Sequence, residues 1–226
     1  FRRVLFRSPF MAKPYAHLAG SGMHLHVSLA DDAGRNLFAA DDPAGSPLLR
    51  QALGGLKATM AESLLVFAPN GNSYRRFQSE SYAPTAVSWG VNNRSVSLRV
   101  PTGPASSRHI EHRIAGADAN PYVAAATVLA GVERGIALGL DPGPPVTGNG
   151  YAAAAAAAAS GVPLDPGLAL PRTWHEAIER SAGSAFLAEA LGPGFLKVFL
   201  AIKRQECARF SAEVTELDRS WYLHTA

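Results

Sequence analysis

The chain has 226 residues, 47% hydrophobic and 17% charged, a balance that supports a buried core and excludes disordered and collagen-like architectures. No apolar run approaches the roughly 20 residues of a membrane helix; the longest, the alanine tract 152–159, is short and weakly apolar, so no membrane partner is expected. The formal charge of +3 comes from 21 Lys+Arg against 18 Asp+Glu, but Arg2, Arg3 and Arg7 stand in the first eight residues with no acid, so the remainder is balanced and no nucleic-acid partner is expected.

In chain order, the leader FRRVLFRS lacks the length and apolar centre of a secretory signal. It matches the translation of a common sequencing-adapter sequence, so residues 1–8 are expected to be a non-native leader, with native sequence from about Pro9. From Gly22 to Leu29, Met23, Leu25, Val27 and Leu29 alternate with His24, His26 and Ser28, which predicts a strand with one apolar and one polar face. Asp31, Asp32 and Gly34 form a turn. Ser46-Pro47 supplies an N-cap with proline at the first helical position, opening a helix to about Ala68, and Asn70-Gly71-Asn72 ends it. A loop runs on to Pro84. Ser95–Val100 is predicted as a second strand with Arg99 on its serine face, and His109–Ile114 as a third, with Ile110 and Ile114 on one side and His109, Glu111 and Arg113 on the other.

Asn120-Pro121 caps a buried helix from Tyr122 to about Leu140, stopped by Asp141-Pro142-Gly143-Pro144-Pro145. The proline, glycine and alanine that follow, to Pro171, predict a surface excursion in which the alanine tract forms at most one short helix, and Tyr151 is an ordinary loop tyrosine. Thr173 and Glu176 match a capping box for a helix to Ser181, and two more helices are predicted over 184–191 and 195–216 around Gly192-Pro193-Gly194. Cys207, the single cysteine, excludes an internal disulfide and a cysteine-based zinc site. Strands first and helices later predict an α+β fold: antiparallel strands with a polar active-site face, followed by packed helices.

Two histidines on one strand face are weak evidence of a site by themselves. Glu111 on a neighbouring strand adds the hard oxygen ligand that Mg²⁺ or Mn²⁺ prefers beside an imidazole. Arg76, Arg94, Arg99 and Arg113 lie in or beside the same elements, which suits phosphate or carboxylate substrates. Metal and arginines together point to phosphoryl transfer, although no Walker-type loop exists, since Gly20-Ser21-Gly22 lacks the lysine and hydroxyl pair. Metal-dependent amidohydrolases also open with H-x-H on a strand, but they need repeated strand–helix units, and the second half here is helical.

The motifs then become specific. Gly20 to Leu29 (GSGMHLHVSL), Asn72-Ser73-Tyr74-Arg75-Arg76, Asn93-Arg94-Ser95 with Arg99-Val100-Pro101, Ile110-Glu111-His112-Arg113 and Asp118-Ala119-Asn120-Pro121-Tyr122 resemble, in order, the signatures of the glutamine synthetase family. The resemblance covers the C-terminal part of the family's catalytic domain, over residues 9–226. It implies ATP-dependent amide formation, in which glutamate is phosphorylated to γ-glutamyl phosphate and then attacked by an amine. By that likeness His24 and Glu111 would bind Mg²⁺ or Mn²⁺, His26 and Ser28 would lie near the ATP, Arg94 and Arg99 would stabilise the transferring phosphoryl group, with Arg99 also touching nucleotide, and Gly20, Arg76 and Arg113 would hold glutamate.

Departures from the pattern sharpen the resemblance. Ammonia-using members carry a glutamate just before the Ala-Pro of the flap, whereas Tyr82 precedes Ala83-Pro84 here, with Glu80 two residues away. Ala19 replaces an asparagine before Gly-Ser-Gly. With Trp89-Gly90 and the wording of residues 111–118, this is similar to the γ-glutamylpolyamine synthetase branch, whose substrate is a larger primary amine such as putrescine. The alternatives are an ammonia-using glutamine synthetase in which Glu80 serves the flap, and a non-catalytic homologue acting in assembly or regulation. The resemblance further implies an N-terminal β-grasp domain and upstream glutamate ligands outside this chain, a homo-oligomeric ring with active sites between subunits, a cytoplasmic location, and inactivity of the chain alone.

Overall fold

Alternation at residues 22–29 becomes an edge strand, β1 (Leu25–Val27), in the computed structural model of the chain, which describes residues 10–159 and 169–223. The leader expected at residues 1–8 and part of the excursion lie outside the described residues. With β2 (Trp89–Val91), β3 (Leu98–Val100) and β4 (Ile110–His112) it forms a four-stranded sheet in the order β1-β4-β3-β2. The β1–β4 and β3–β4 pairs are antiparallel as expected, but β2 pairs with β3 in parallel. Trp89-Gly90-Val91 is too short to show a period, so the sequence did not announce it. The chain returns to β3 through Asn92, held at φ 49, and through Asn93, whose Oδ1 accepts from the amide and hydroxyl of Ser95 at 3.0 and 2.6 Å.

Register decides the faces. Opposite Glu111 stand His26 of β1 and Arg99 of β3, while Leu25, Leu98 and His112 share the other face. That second face is the core, where Leu98, Val100, Ile110 and Ile114 pack with Leu49, Leu53, Met60, Leu64 and Leu65. These come from α1 (Pro47–Met60) and α2 (Leu64–Phe67). Ser46 caps α1 as predicted, its hydroxyl accepting from the Leu49 amide at 3.3 Å. The single helix expected to Ala68 breaks at Ala61-Glu62-Ser63. The Glu62 carbonyl accepts instead from the Ser181 hydroxyl at 2.7 Å, and its carboxylate from Ser184 at 2.6 Å, so packing against a later helix replaces helix continuity.

Helix α3 (Pro121–Ala137) crosses α1 through glycines: a Cβ at Gly55 would lie 2.1 Å from the Gly131 carbonyl oxygen, and one at Gly135 2.2 Å from that of Gln51. The alanine tract is the one short helix that the sequence allowed, α4 (Gly150–Ala159). Then come α5 (Trp174–Ala182), α6 (Ala185–Leu191), α7 (Pro193–Ala212) and α8 (Glu216–Tyr222). At α5 the Thr173 hydroxyl accepts from the Glu176 amide, but Glu176 accepts from Arg172 rather than from the cap residue. The last helix predicted to 216 stops at Ala212, and Thr215 with Asp218 forms a reciprocal capping box that starts α8. Among the described residues no single helix is long and apolar enough to cross a membrane.

The α1–α3 contact is therefore sensitive to single methyl groups. Gly135→Ala should lower the unfolding free energy by about 2 kcal/mol or more, because the added carbon meets backbone that cannot yield. Gly194→Ala, with nothing within 4 Å of the added carbon, should stay within about 1 kcal/mol of the parent. Urea denaturation of the two variants checks both.

Candidate active site

Glu111 sits in the central strand β4 and is 3% exposed. Its Oε1 accepts from Arg113 Nη1 at 2.6 Å and lies 2.9 Å from His24 Nδ1, and its Oε2 accepts from Arg99 Nη1 at 2.8 Å. Burial alone would push this carboxyl up, but the hydrogen bonds from His24 and Arg99 and the charges of Arg113 and His24 outweigh it and hold Glu111 well below the usual carboxylate range. Arg99 is braced on its other side by Asn92 Oδ1 at 2.7 Å. Arg113 also donates to the carbonyls of Arg94 and Tyr82 at 3.1 and 3.4 Å. Both Arg99 and Arg113 keep a buried Nε with no partner, so the two guanidiniums retain donor capacity.

Arg76 is drawn to the same corner for a different reason. From Leu25↔His112 to the bridge Gly22↔Gly116, three steps on one strand meet four on the other, which is a bulge after β4. The carbonyls of Arg113 and Ile114 in the bulge accept from Arg76 Nη2 at 3.1 Å and Nη1 at 2.6 Å. The buried guanidinium, pushed down to about 10 by desolvation, thus satisfies backbone that the ladder leaves open. Gly20 and Gly22 permit its approach, since a Cβ at either would lie 2.8 and 2.9 Å from Arg76. Arg76 and Gly20 therefore occupy the site's wall as a packed pair, and a glutamate contact for them rests on the family likeness.

His26, on the polar face of β1, and Ser28, just beyond the end of that strand, are exposed. They line a cleft of about 390 Å³ with Asn36, Ser106, Ser107 and His109. The His26 and His109 rings are 5.1 Å apart. His109 Nδ1 is 2.7 Å from the Ser107 carbonyl and donates to it, and burial, with Glu111 opposing, pushes His26 below its ordinary value. Arg94 is exposed at the rim of a neighbouring cleft of about 570 Å³ that includes Asn92, Asn93 and Thr147. The structure thus brings His24, Arg99, Glu111 and Arg113 into one cluster, places His26 of β1 and Ser28 just beyond that strand beside it, and sets Arg94 at its edge.

Sequence reasoning missed Asn92, which orients Arg99, and Tyr151, whose hydroxyl donates to the flap carbonyl of Ala83 at 3.0 Å. The reading of Tyr151 as a loop residue is corrected by its place in α4. Neither contact has a local signature. The signal for His109 was present, as it shares the face of Glu111 and Arg113.

A divalent cation suits the donors. His24 Nδ1 and Glu111 Oε1 stand 2.9 Å apart, close enough for one cation to take both as neighbouring ligands. Glu111 Oε2 accepts a single described bond. Among the described residues no three His, Cys, Asp or Glu side chains gather for a metal, so these two fit as part of a larger ligand shell.

The model of the family described as "Glutamine synthetase, catalytic domain" matches residues 6–222, and the chain belongs to the glutamine synthetase family. Gamma-glutamylputrescine synthetase PuuA of Escherichia coli K12 is 39% identical over 96% of this chain and 43% of its own length. A glutamate–isopropylamine ligase of a Pseudomonas species is 43% identical over 63% of this chain and 31% of its own. A solved GmaS/ADP complex superimposes with TM-score 0.81 at 30% identity, over 95% of this chain and 49% of that one. The chain spans less than half the length of these relatives.

Two measurements probe the cluster. Glu111→Gln leaves the buried Arg113 and the partly buried Arg99 without a counter-charge and should cost about 3 kcal/mol of stability in urea denaturation. His112, on the core face with its ring 4.5 Å from Phe67, is pushed down to about 3 by burial and by the charge of His24. Between that value and the ordinary 6.5 the unfolded chain binds a proton that the folded one refuses, so stability is full above pH 6.5 and falls on acidification. About 2 kcal/mol should be lost between pH 7 and 5, and His112→Asn should flatten that slope.

Proposed function

We propose that the intact protein is an ATP-dependent carbon–nitrogen ligase that joins the γ-carboxylate of glutamate to a primary alkylamine, putrescine or a close relative, through γ-glutamyl phosphate. The observation that carries this reading is the buried Glu111 held between His24, Arg99 and Arg113 on one sheet face. Such a cluster handles anions next to a cation, as phosphoryl transfer to a carboxylate requires. The glutamate-amine ligases among the relatives and the ADP in the GmaS complex support the same reading.

In this reading His26 and Ser28 line the ATP cleft. Glutamate lies against Arg113, with Gly20 and Arg76 forming the wall behind it. A γ-carboxylate oxygen attacks the terminal phosphorus and the bond to ADP breaks, while Arg94 and Arg99 offset the charge on the transferring group. The amine nitrogen then attacks the acyl carbon, phosphate leaves, and the nitrogen gives up a proton. His24 and Glu111 would hold Mg²⁺ or Mn²⁺, which when bound neutralises phosphate charge and polarises the transferring group.

The preference for an alkylamine rests on the flap. Tyr82 is 69% exposed there and carries no charge to attract ammonium. Exposed apolar side chains along α7 and α8, including Val198, Ile202, Leu217 and Trp221, support association with further copies in a ring. ATP as substrate supports a cytoplasmic setting.

Phosphate release by the full-length enzyme, with ATP, Mg²⁺ and glutamate, should be at least tenfold faster with putrescine than with ammonium at equal concentration. Faster release with ammonium would mean that Glu80 serves the flap and that the alkylamine assignment is wrong. No amine-dependent release at all would remove the ligase reading.

A further inference from the structure

Residues 143–150, leading into α4, are docked along the edge strand β2 and the turn that follows it. Val146 N donates to the Trp89 carbonyl at 2.8 Å, and Trp89 Nε1 donates to that of Gly143 at 2.9 Å. Asn93 Nδ2 donates to the carbonyls of Val146 and Gly148 at 3.1 and 2.8 Å, and Gly150 N donates to Ser95 Oγ at 2.8 Å. Gly90 makes the approach possible, since a Cβ there would lie 2.7 Å from the Val146 carbonyl oxygen. Every residue after Tyr151 in α4 is alanine. The helix therefore has one side chain with chemistry to offer, and the clamp below it sets where that side chain falls.

It falls on the flap. Glu80 and Tyr82 both stand at φ 58, a left-handed conformation that non-glycine residues adopt only when surroundings hold them. Arg113 Nη2 donates to the Tyr82 carbonyl at 3.4 Å, and the Tyr151 hydroxyl to the next carbonyl, Ala83, at 3.0 Å. Burial pushes the Tyr151 phenol up, against the opposing influence of Ser81, Arg113, the Tyr82 peptide and Arg76. The oxygen thus lies where flap and arginine cluster meet.

We propose that Tyr151 is a positioning residue for amine attack, its hydroxyl latching the Ala83 carbonyl so that the strained flap keeps Tyr82 at the mouth of the site. This rests on the ligase reading and adds a specific residue to it. The latch ties the amine entrance to the docked segment rather than to the ATP cleft, so its loss should be felt by the amine alone.

Tyr151→Phe removes the hydroxyl and keeps the ring. Hydrogen exchange at residues 80–84 should become about fivefold faster, the loss expected for one hydrogen bond, with β4 and α3 unchanged. In the full-length enzyme KM for putrescine should rise by a similar factor, while kcat and the KM values for ATP and glutamate hold. Unchanged exchange at 80–84 would overturn the latch. Faster exchange with an unchanged amine KM would overturn its role in positioning. An enzyme inactive with every amine would instead remove the ligase reading, and exchange alone would then decide the latch.

Discussion

Glu111 is a carboxylate placed where a carboxylate is expensive, in the middle strand of a sheet, with Arg99, Arg113 and His24 closing on its two oxygens. Such buried clusters are poor devices for stability, because well-packed apolar residues of the same volume do as well or better. Their value is positional. With one strand on each side of β4, the register puts His26 and Arg99 directly opposite Glu111, so the site's groups are spaced by the ladder itself. The same register turns Leu98, Val100 and Ile110 into the core. A slip of one residue would exchange the two faces, so hydrophobic burial and site geometry hold each other in place.

Support behind the cluster is mostly backbone. The bulge after β4 frees two carbonyls, and Arg76 fills them from a position that only Gly20 and Gly22 leave open. Asn92, itself in a left-handed conformation, orients Arg99. A site on three-residue strands would be loose without such bracing, since small displacements of charged groups carry large energetic consequences. Here the arginines divide the work: Arg76 holds the chain, Arg99 and Arg113 hold the carboxylate, and Arg94 stays exposed at the edge.

The flap contrasts with this rigid floor. Glu80 and Tyr82 stand exposed and strained there, features of segments that open at low cost, while Ala83 and Pro84 are buried. What closes it comes from two directions, an arginine belonging to the site and a tyrosine delivered by a docked excursion. Under the ligase reading proposed above, these two contacts would tie the flap to the amine end of the site, while the His26–Ser28 cleft lies on the far strand.

Local chemistry in the sequence determined the family motifs, the polar and apolar alternation of β1, the caps of α1, α3 and α5, and the grouping of His24, Glu111, Arg99 and Arg113 on strand faces. Each is legible because period, capping and motif spacing act over a few neighbouring residues. The break between α1 and α2, the parallel strand β2, the backbone-holding task of Arg76 and the meeting of Tyr151 with Ala83 were decided by tertiary structure. Those features join residues distant along the chain, up to 122 positions apart for Ser184 and Glu62. Only packing determines which carbonyl a side chain meets, and no pattern of neighbours along the chain encodes it.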